Sequence, residues 1–249
     1  MFTILIVEDN DLLREVLHDT LHSHFLFPAM ATAASVAQAR ATIDAVHPDV
    51  IFLDIGLPDG NGLELTRRLR AEGINARIAV LTSHDLPEYR DEALRSGADH
   101  FLVKGSASLN EIFGVVETAI ASRFRVLIVT EDASFKDRAT SFVSTSWPDT
   151  VVALAAVGDE ALEAALVLKP NLVMLQSAGG AEQERGFCEQ MRSRCAGFQS
   201  SVVSVRDADV LASQECPADY CVPIGAEFGD KMATIIISLR DSRSVATTY

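Results

Sequence analysis

No run of eighteen or more apolar residues occurs in this chain of 249 residues, so the sequence offers no membrane-spanning helix. Its N-terminus enters a short strand-like segment, FTILIVEDN, without the basic residues and longer apolar stretch of a signal peptide. A cytoplasmic location without membrane insertion is the expectation. Basic residues are scarce: 21 Lys and Arg stand against 35 Asp and Glu, a net charge of −14. The deficit is shared, with 10 basic against 18 acidic residues up to Arg123 and 11 against 17 after it. Neither half has the electrostatic footprint of a direct nucleic-acid binder. Only four cysteines are present, Cys188, Cys195, Cys216 and Cys221, and the six and four residues within the two closer pairs match no CxxC spacing. Reduced, partly buried thiols are therefore expected, not a metal site or a disulfide framework. A Gly/Ser-rich linker is missing too, since ASRFRVLIVTED runs a helical segment almost directly into a strand. A domain boundary near residues 122–124 and a fairly fixed relation between the halves follow.

What is present is a folded composition, 48% hydrophobic and 22% charged, written twice. ILIVEDN at 4–10 recurs as VLIVTED at 126–132, and PDVIFLDIGLPDGNG at 48–62 has the shape of PNLVMLQSAGG at 170–180, each 122 residues on. GADHFLVKG at 97–105 is echoed by PADYCVPIG at 217–225, offset by 120. A duplicated domain of about 120 residues fits this spacing better than a solenoid, whose units are roughly 20–50 residues. In the first half, apolar runs at Ile4–Val7, Val50–Leu53, Ile78–Leu81 and Phe101–Val103, with a weaker one at Met30–Thr32, alternate with segments of helical period. Continuous apolar strands are buried on both faces, which predicts an α/β fold with a parallel sheet between two helical layers. The first helix is expected over Asp11–Leu21, with Leu12, Leu13, Val16, Leu17 and Leu21 on one face. The last helix of this half is expected over Ser106–Arg123.

Ligands of open α/β sheets bind at the carboxyl ends of the strands. Those ends carry Glu8, Asp9, Asp54, Thr82, Ser83 and Lys104. Clustered carboxylates repel, and a hard divalent cation such as Mg²⁺ (or Mn²⁺) resolves the conflict. Beside such a metal Asp54 is suited to accept a phosphoryl group, with Lys104 and Thr82 taking its oxygens. A strand delivers Asp54 rigidly, and the turn at Gly56–Leu57–Pro58 leads the chain away. His18 and His22, four apart on the first helix, have metal-ligand spacing but no third ligand, and are expected as exposed helix residues.

The segments ILIVEDN, VIFLDIGLPDGNGLEL, IAVLTS and GADHFLVKGS, in this order and spacing, resemble the receiver domain of two-component response regulators across residues 1–123. The resemblance implies two flavodoxin-like (βα)5 domains in tandem, residues 1–123 and 124–249. It makes Asp54 the phosphoacceptor and Glu8 and Asp9 the acidic pair around Mg²⁺, with the backbone carbonyl of Gly56 completing the ligands. Thr82 and Lys104 take the family's hydroxyl and lysine roles, Phe101 falls at the aromatic switch position, and His84 at a position that influences phosphoryl hydrolysis. The second copy departs from this pattern: Thr130 and Glu131 replace Glu8 and Asp9, Gln176 replaces Asp54, Arg206 replaces Thr82, Ile224 replaces Lys104 and Cys221 the switch aromatic. It reads as a pseudo-receiver in which Arg206 pairs with Glu131.

The implied partners are a sensor histidine kinase or histidine phosphotransfer protein and a downstream protein target, with homodimerisation through the second domain a further possibility. The wording of the first half is closest to receivers joined to a helix-turn-helix output domain, and none follows here. Two other classes compete: the regulatory part of a larger enzyme such as a diguanylate cyclase, and a phosphorylation-independent scaffold. The polar tail RDSRSVATTY reads as a chain end.

Overall fold

Every residue of Thr3–Val7 and of Val50–Asp54 is buried, as runs of Ile, Leu, Val and Phe require when both faces of a strand are covered. The computed structural model describes residues 2–25, 27–83, 86–213 and 216–246. Its elements run β1 (Thr3–Val7), α1 (Asp11–His24), β2 (Ala29–Ala33), α2 (Val36–Val46), β3 (Val50–Asp54), β4 (Gly56–Leu57), β5 (Gly60–Asn61), α3 (Gly62–Ala71), β6 (Arg77–Thr82), α4 (Pro87–Arg95), β7 (His100–Val103) and α5 (Leu109–Ala121). There follow β8 (Arg125–Val129), α6 (Ala133–Ser146), β9 (Val151–Ala155), α7 (Asp159–Leu168), β10 (Leu172–Leu175), α8 (Gly180–Arg194), β11 (Ser201–Arg206), α9 (Ala208–Ser213), β12 (Tyr220–Pro223) and α10 (Phe228–Ala246). The chain divides into two units, Met1–Ser122 and Arg123–Tyr249.

Each unit holds a five-stranded sheet, ordered β2-β1-β3-β6-β7 in the first and β9-β8-β10-β11-β12 in the second. Every pairing within them is parallel. Both follow the order 2-1-3-4-5 of flavodoxin-like sheets, whose switch point lies between the first and third strands. In the first unit Leu5, Val7, Ile51, Leu53, Ile78 and Val80 form one sheet face. Ala39 and Ile43 of α2, Leu65 and Leu69 of α3 and Ala93 of α4 pack on it. The alternate residues Ile4, Ile6 and Phe52 are equally inaccessible, and α1 and α5 contribute buried Leu17, Leu21, Val115, Val116 and Ile120. The second unit repeats the scheme with Val126, Ile128, Leu172, Met174, Val203 and Val205 against Phe135, Ala139 and Val143 of α6 and Met232 and Ile236 of α10.

Local chemistry fixes the helix ends. Asn10, Ser35, Asn61, Ser108 and Asp132 accept backbone N–H bonds as N-caps of α1, α2, α3, α5 and α6. At Ser108 the reciprocal bond from Glu111 completes a capping box and starts α5 later than the expected Ser106. Helices α2 and α7 both end on a left-handed residue that is not glycine, His47 at φ 47° and Lys169 at φ 50°. These lie 122 positions apart, so the repeat extends to the backbone conformation of a cap.

Three expectations need correction. Helix α1 continues to His24, and only Leu17 and Leu21 of its apolar stripe are buried, while Leu12 is 71% and Val16 53% exposed. A helix resting on a sheet covers a narrower arc than its apolar residues span. The turn after Asp54 is a small antiparallel hairpin, Gly56 opposite Asn61 and Leu57 opposite Gly60. Cys216 and Cys221 are not reduced thiols: they form a disulfide, with Cα atoms 6.3 Å apart, because the chain leading into β12 folds back on it. Cys188 and Cys195 are free and buried. Among the described residues no helix is long and apolar enough to cross a membrane.

The hairpin returns the chain so closely to β3 that Gly62 lies against the Asp54 carbonyl. A Cβ at Gly62 would stand 2.0 Å from that oxygen. Gly62→Ala is therefore expected to lower stability by about 1–3 kcal/mol, the usual cost of overpacking, read as a reduced urea midpoint at unchanged slope.

Candidate functional site

Strands β1, β3, β6 and β7 end on one side of the first sheet, and their last residues meet there. Glu8 is 1% and Asp54 6% exposed, whereas Asp9 is exposed. Ligating atoms of these three carboxylates lie within 4.8 Å of one another. Lys104 reaches between two of them, its Nζ 2.8 Å from Glu8 Oε2 and 2.7 Å from Asp54 Oδ2. Its own position is fixed where β7 leaves the sheet, because its N–H donates to the Thr82 carbonyl at 2.7 Å. Glu8 is held likewise: its N–H donates to the Ala33 carbonyl at 3.0 Å, and Arg14 donates to its carbonyl at 2.7 Å.

Burial pushes the Glu8 carboxyl above the ordinary glutamate range; Lys104 opposes this and the Asp54 charge reinforces it. Burial acts downward on Lys104, but its bonds to Asp54 and Glu8 prevail and raise it, so it stays an ammonium. Among the described residues one ammonium, Lys104, bridges two of the three carboxylates, which leaves the cluster suited to a second positive charge. The donor set is all oxygen, which matches a hard divalent ion such as Mg²⁺. Glu8 Oε2 is buried and bound to Lys104 alone among the described side chains, and a carboxylate oxygen has a further lone pair for such an ion.

A cavity of about 440 Å³ opens beside Asp54 and is lined also by Gly56, Thr82, Ser83 and Lys104. Asn61 and Tyr89 line it as well, and sequence reasoning passed over both. Asn61 carries a signal, the N-cap position before Gly62-Leu63-Glu64, where its side chain accepts from Leu63 N–H at 2.8 Å. Tyr89 arrives from α4 with no spacing that marks it. Thr82 is 3% exposed at the end of β6. Phe101 is turned into the core at 9% exposure, with the Arg90 guanidinium 4.9 Å from its ring centre. His84 lies outside the described residues. His18 and His22 stack with ring centres 5.9 Å apart, and His18 contacts Asp19 at 3.0 Å.

The corresponding strand ends of the second unit keep the main chain and change the chemistry. Ile224 N–H donates to the Arg206 carbonyl at 2.7 Å, as Lys104 does to Thr82, and Thr130 N–H donates to Ala155, as Glu8 does to Ala33. Thr130 Oγ1 donates to the Gln176 side-chain carbonyl, and Ile224 packs against the apolar core. Arg206 does not pair with Glu131, which is exposed. Its partner is Glu184 of α8, 1% exposed, to which both Nε, at 2.8 Å, and Nη2 donate. Ser204 Oγ donates to the same carboxylate oxygen at 2.7 Å and accepts from Arg206 Nε at 2.9 Å. A guanidinium that is 5% exposed needs a carboxylate as deeply buried as itself, and Glu131 at the rim is not.

Residues 4–117 match the family model of the response regulator receiver domain. Over 104 residues the chain is 38% identical to the DNA-binding transcriptional activator DevR/DosR of Mycobacterium tuberculosis, an alignment covering 42% of this chain and 48% of that protein. It is 34% identical over 108 residues to the virulence transcriptional regulatory protein PhoP of Salmonella typhimurium, covering 42% and 46%. A LuxR-family two-component response regulator structure from Aurantimonas sp. aligns at 27% identity and a TM-score of 0.45, covering 49% of this chain and 86% of that one. The N-terminal half is homologous to two-component response regulators, and the chain spans about half the length of the curated relatives it matches.

Two outcomes are expected from these sites. Arg206→Ala strands a buried carboxylate and should cost about 3–5 kcal/mol in denaturant unfolding, while Arg206→Met with Glu184→Leu should be near neutral or stabilising. Mg²⁺ affinity measured calorimetrically should fall on acidification, starting above the pH at which ordinary glutamates titrate. Glu8 binds its proton early because its folded pKa is raised, and a protonated carboxyl is a poor ligand.

Proposed function

We propose that the first unit is a phosphoacceptor receiver, in which Asp54 takes a phosphoryl group from a phosphohistidine of a sensor kinase or phosphotransfer protein. The supporting observation is the bridge from Lys104 Nζ to Glu8 and Asp54, at 2.8 and 2.7 Å, beside an open cavity. Glu8, Asp9, Asp54 and the Gly56 carbonyl would hold Mg²⁺ or Mn²⁺. That ion would supply charge neutralisation for the incoming phosphoryl oxygens.

An Asp54 carboxylate oxygen attacks phosphorus in line, the P–N bond breaks, and its electron pair stays on the imidazole nitrogen. The rigid end of β3 holds this oxygen at the cavity wall, so little conformational entropy is lost in reaching the reactive geometry. Lys104 exchanges a carboxylate contact for a phosphoryl oxygen, and Thr82 offers its hydroxyl to another. The phosphoryl group carries about two negative charges at pH 7 in place of the single charge of the carboxylate. Drawing Thr82 and Lys104 toward them pulls on the ends of β6 and β7, and Phe101, on β7 opposite Val80, follows. The phosphoryl group shifts the equilibrium only by its different affinity for the two arrangements, so the unmodified protein already samples the second.

The second unit is read as a degenerate receiver that serves partner binding or dimerisation. Gln176 cannot form an acyl phosphate, and Arg206, at the register position of Thr82, is committed to an internal charge pair with Glu184. The output is then a protein contact. The DNA-binding role named for the Mycobacterium tuberculosis relative belongs to a protein about twice as long as the matched segment, and both halves of this chain are acidic.

Intact-mass spectrometry with a small-molecule phosphodonor and Mg²⁺ tests this reading. One phosphoryl group per chain is expected in wild type and in Gln176→Ala, and none in Asp54→Asn. Lack of incorporation by wild type that binds Mg²⁺ and is folded would favour a scaffold not switched by phosphate.

A further inference from the structure

The first unit couples the ends of β6 and β7. The second unit keeps that main-chain coupling and adds a covalent link between the strand matching β7 and the segment before it. Arg206 pairs with Pro223 as Thr82 pairs with Val103, so two residues back Cys221 pairs with Ser204 as Phe101 pairs with Val80. Cys221 therefore occupies the register position of the buried aromatic, and its sulfur is bonded to Cys216. Strand β12 is the edge of its sheet, so this bond ties an edge strand to the segment leading into it.

We propose that Cys216 and Cys221 form a reversible thiol–disulfide switch that sets the conformation of the β12 edge, with dithiols opening it and low-molecular-weight disulfides closing it. In opening, the Cys216–Cys221 bond takes up two electrons and two protons to give two thiols, while the dithiol loses the same and becomes a cyclic disulfide. In closing, a disulfide such as oxidised glutathione is reduced to two thiols as the intrachain bond forms.

Three observations carry the proposal. The cysteines are only five positions apart, and a ring so short removes little freedom from the unfolded chain, so the bond contributes at the low end of disulfide stabilisation. Its principal effect is local. Both residues are partly exposed, so a small thiol can reach them, whereas Cys188 and Cys195 are buried. Burial also pushes the Cys188 thiol up to about 11 and raises that of Cys195, which suppresses their thiolates and leaves one pair open to exchange. Finally, Cys221 sits opposite Ser204, whose hydroxyl donates to Glu184 in the buried pair with Arg206. Releasing β12 loosens the strand beside that pair and the half-exposed Tyr220 next to Cys221. None of this depends on Asp54 being phosphorylated.

The test uses the full chain under native conditions, with alkylation mapped by mass spectrometry and hydrogen exchange read over 216–224. After oxidised glutathione, neither Cys216 nor Cys221 should alkylate. After dithiothreitol without denaturant both should, with Cys188 and Cys195 protected throughout, and exchange across Tyr220–Pro223 should quicken severalfold. Cys221→Ser should show the fast exchange with or without reductant. Full alkylation or a persistent glutathione adduct after oxidation would overturn the proposal. A bond that opens only in denaturant, or exchange that is the same in both redox states, would do so equally.

Discussion

A charge buried at the end of a strand must be neutralised, and both units are organised around that requirement. In the first, Lys104 alone stands between Glu8 and Asp54, with Asp9 at the rim. The balance is incomplete, and the cluster keeps excess negative charge beside an open cavity. In the second, Arg206 and Glu184 balance one another within the protein, reinforced by Ser204. The result is a charge pair closed within the protein. One topology therefore carries an acidic cluster with excess negative charge in one unit and a buried ion pair in the other, and the difference lies in how far the counter-charge is supplied within the protein.

The strands were legible because their physics is local. Both faces of β1, β3 and β8 are covered, and continuous Ile, Leu and Val record that directly. Parallel pairing then brings residues as much as 96 positions apart, Glu8 and Lys104, to one end of the sheet together with Asp54 and Thr82, so the sequence alone groups them. Glu184 was not legible for the converse reason. It belongs to a helix, no strand end lies beside it in sequence, and only the packing of α8 beneath β11 brings it to Arg206. Comparing strand ends with strand ends led to Glu131 instead, a residue that stays in solvent.

The disulfide was hidden by a related blindness. Spacing rules encode common loop shapes, and the path from Cys216 into β12 is not one of them. Helix α1 shows the limit of periodicity: a 3.6-residue pattern identifies the face of a helix but not how much of it a sheet covers, so Leu12 and Val16 lie outside the core. By contrast His47 and Lys169, both left-handed where α2 and α7 end, show that the two units share even a mildly strained cap.

The Arg206–Glu184 pair also orders the substitutions by which the second site could change. Introducing a hydroxyl residue at 206, as at Thr82 in the first unit, leaves Glu184 buried without a counter-ion, and removing Glu184 first leaves the guanidinium in the same plight. Each single step crosses a less stable protein, although the double replacement need not be. The pair therefore acts as an epistatic ratchet: two mutually dependent residues hold the second site in its closed chemistry against any path of one change at a time.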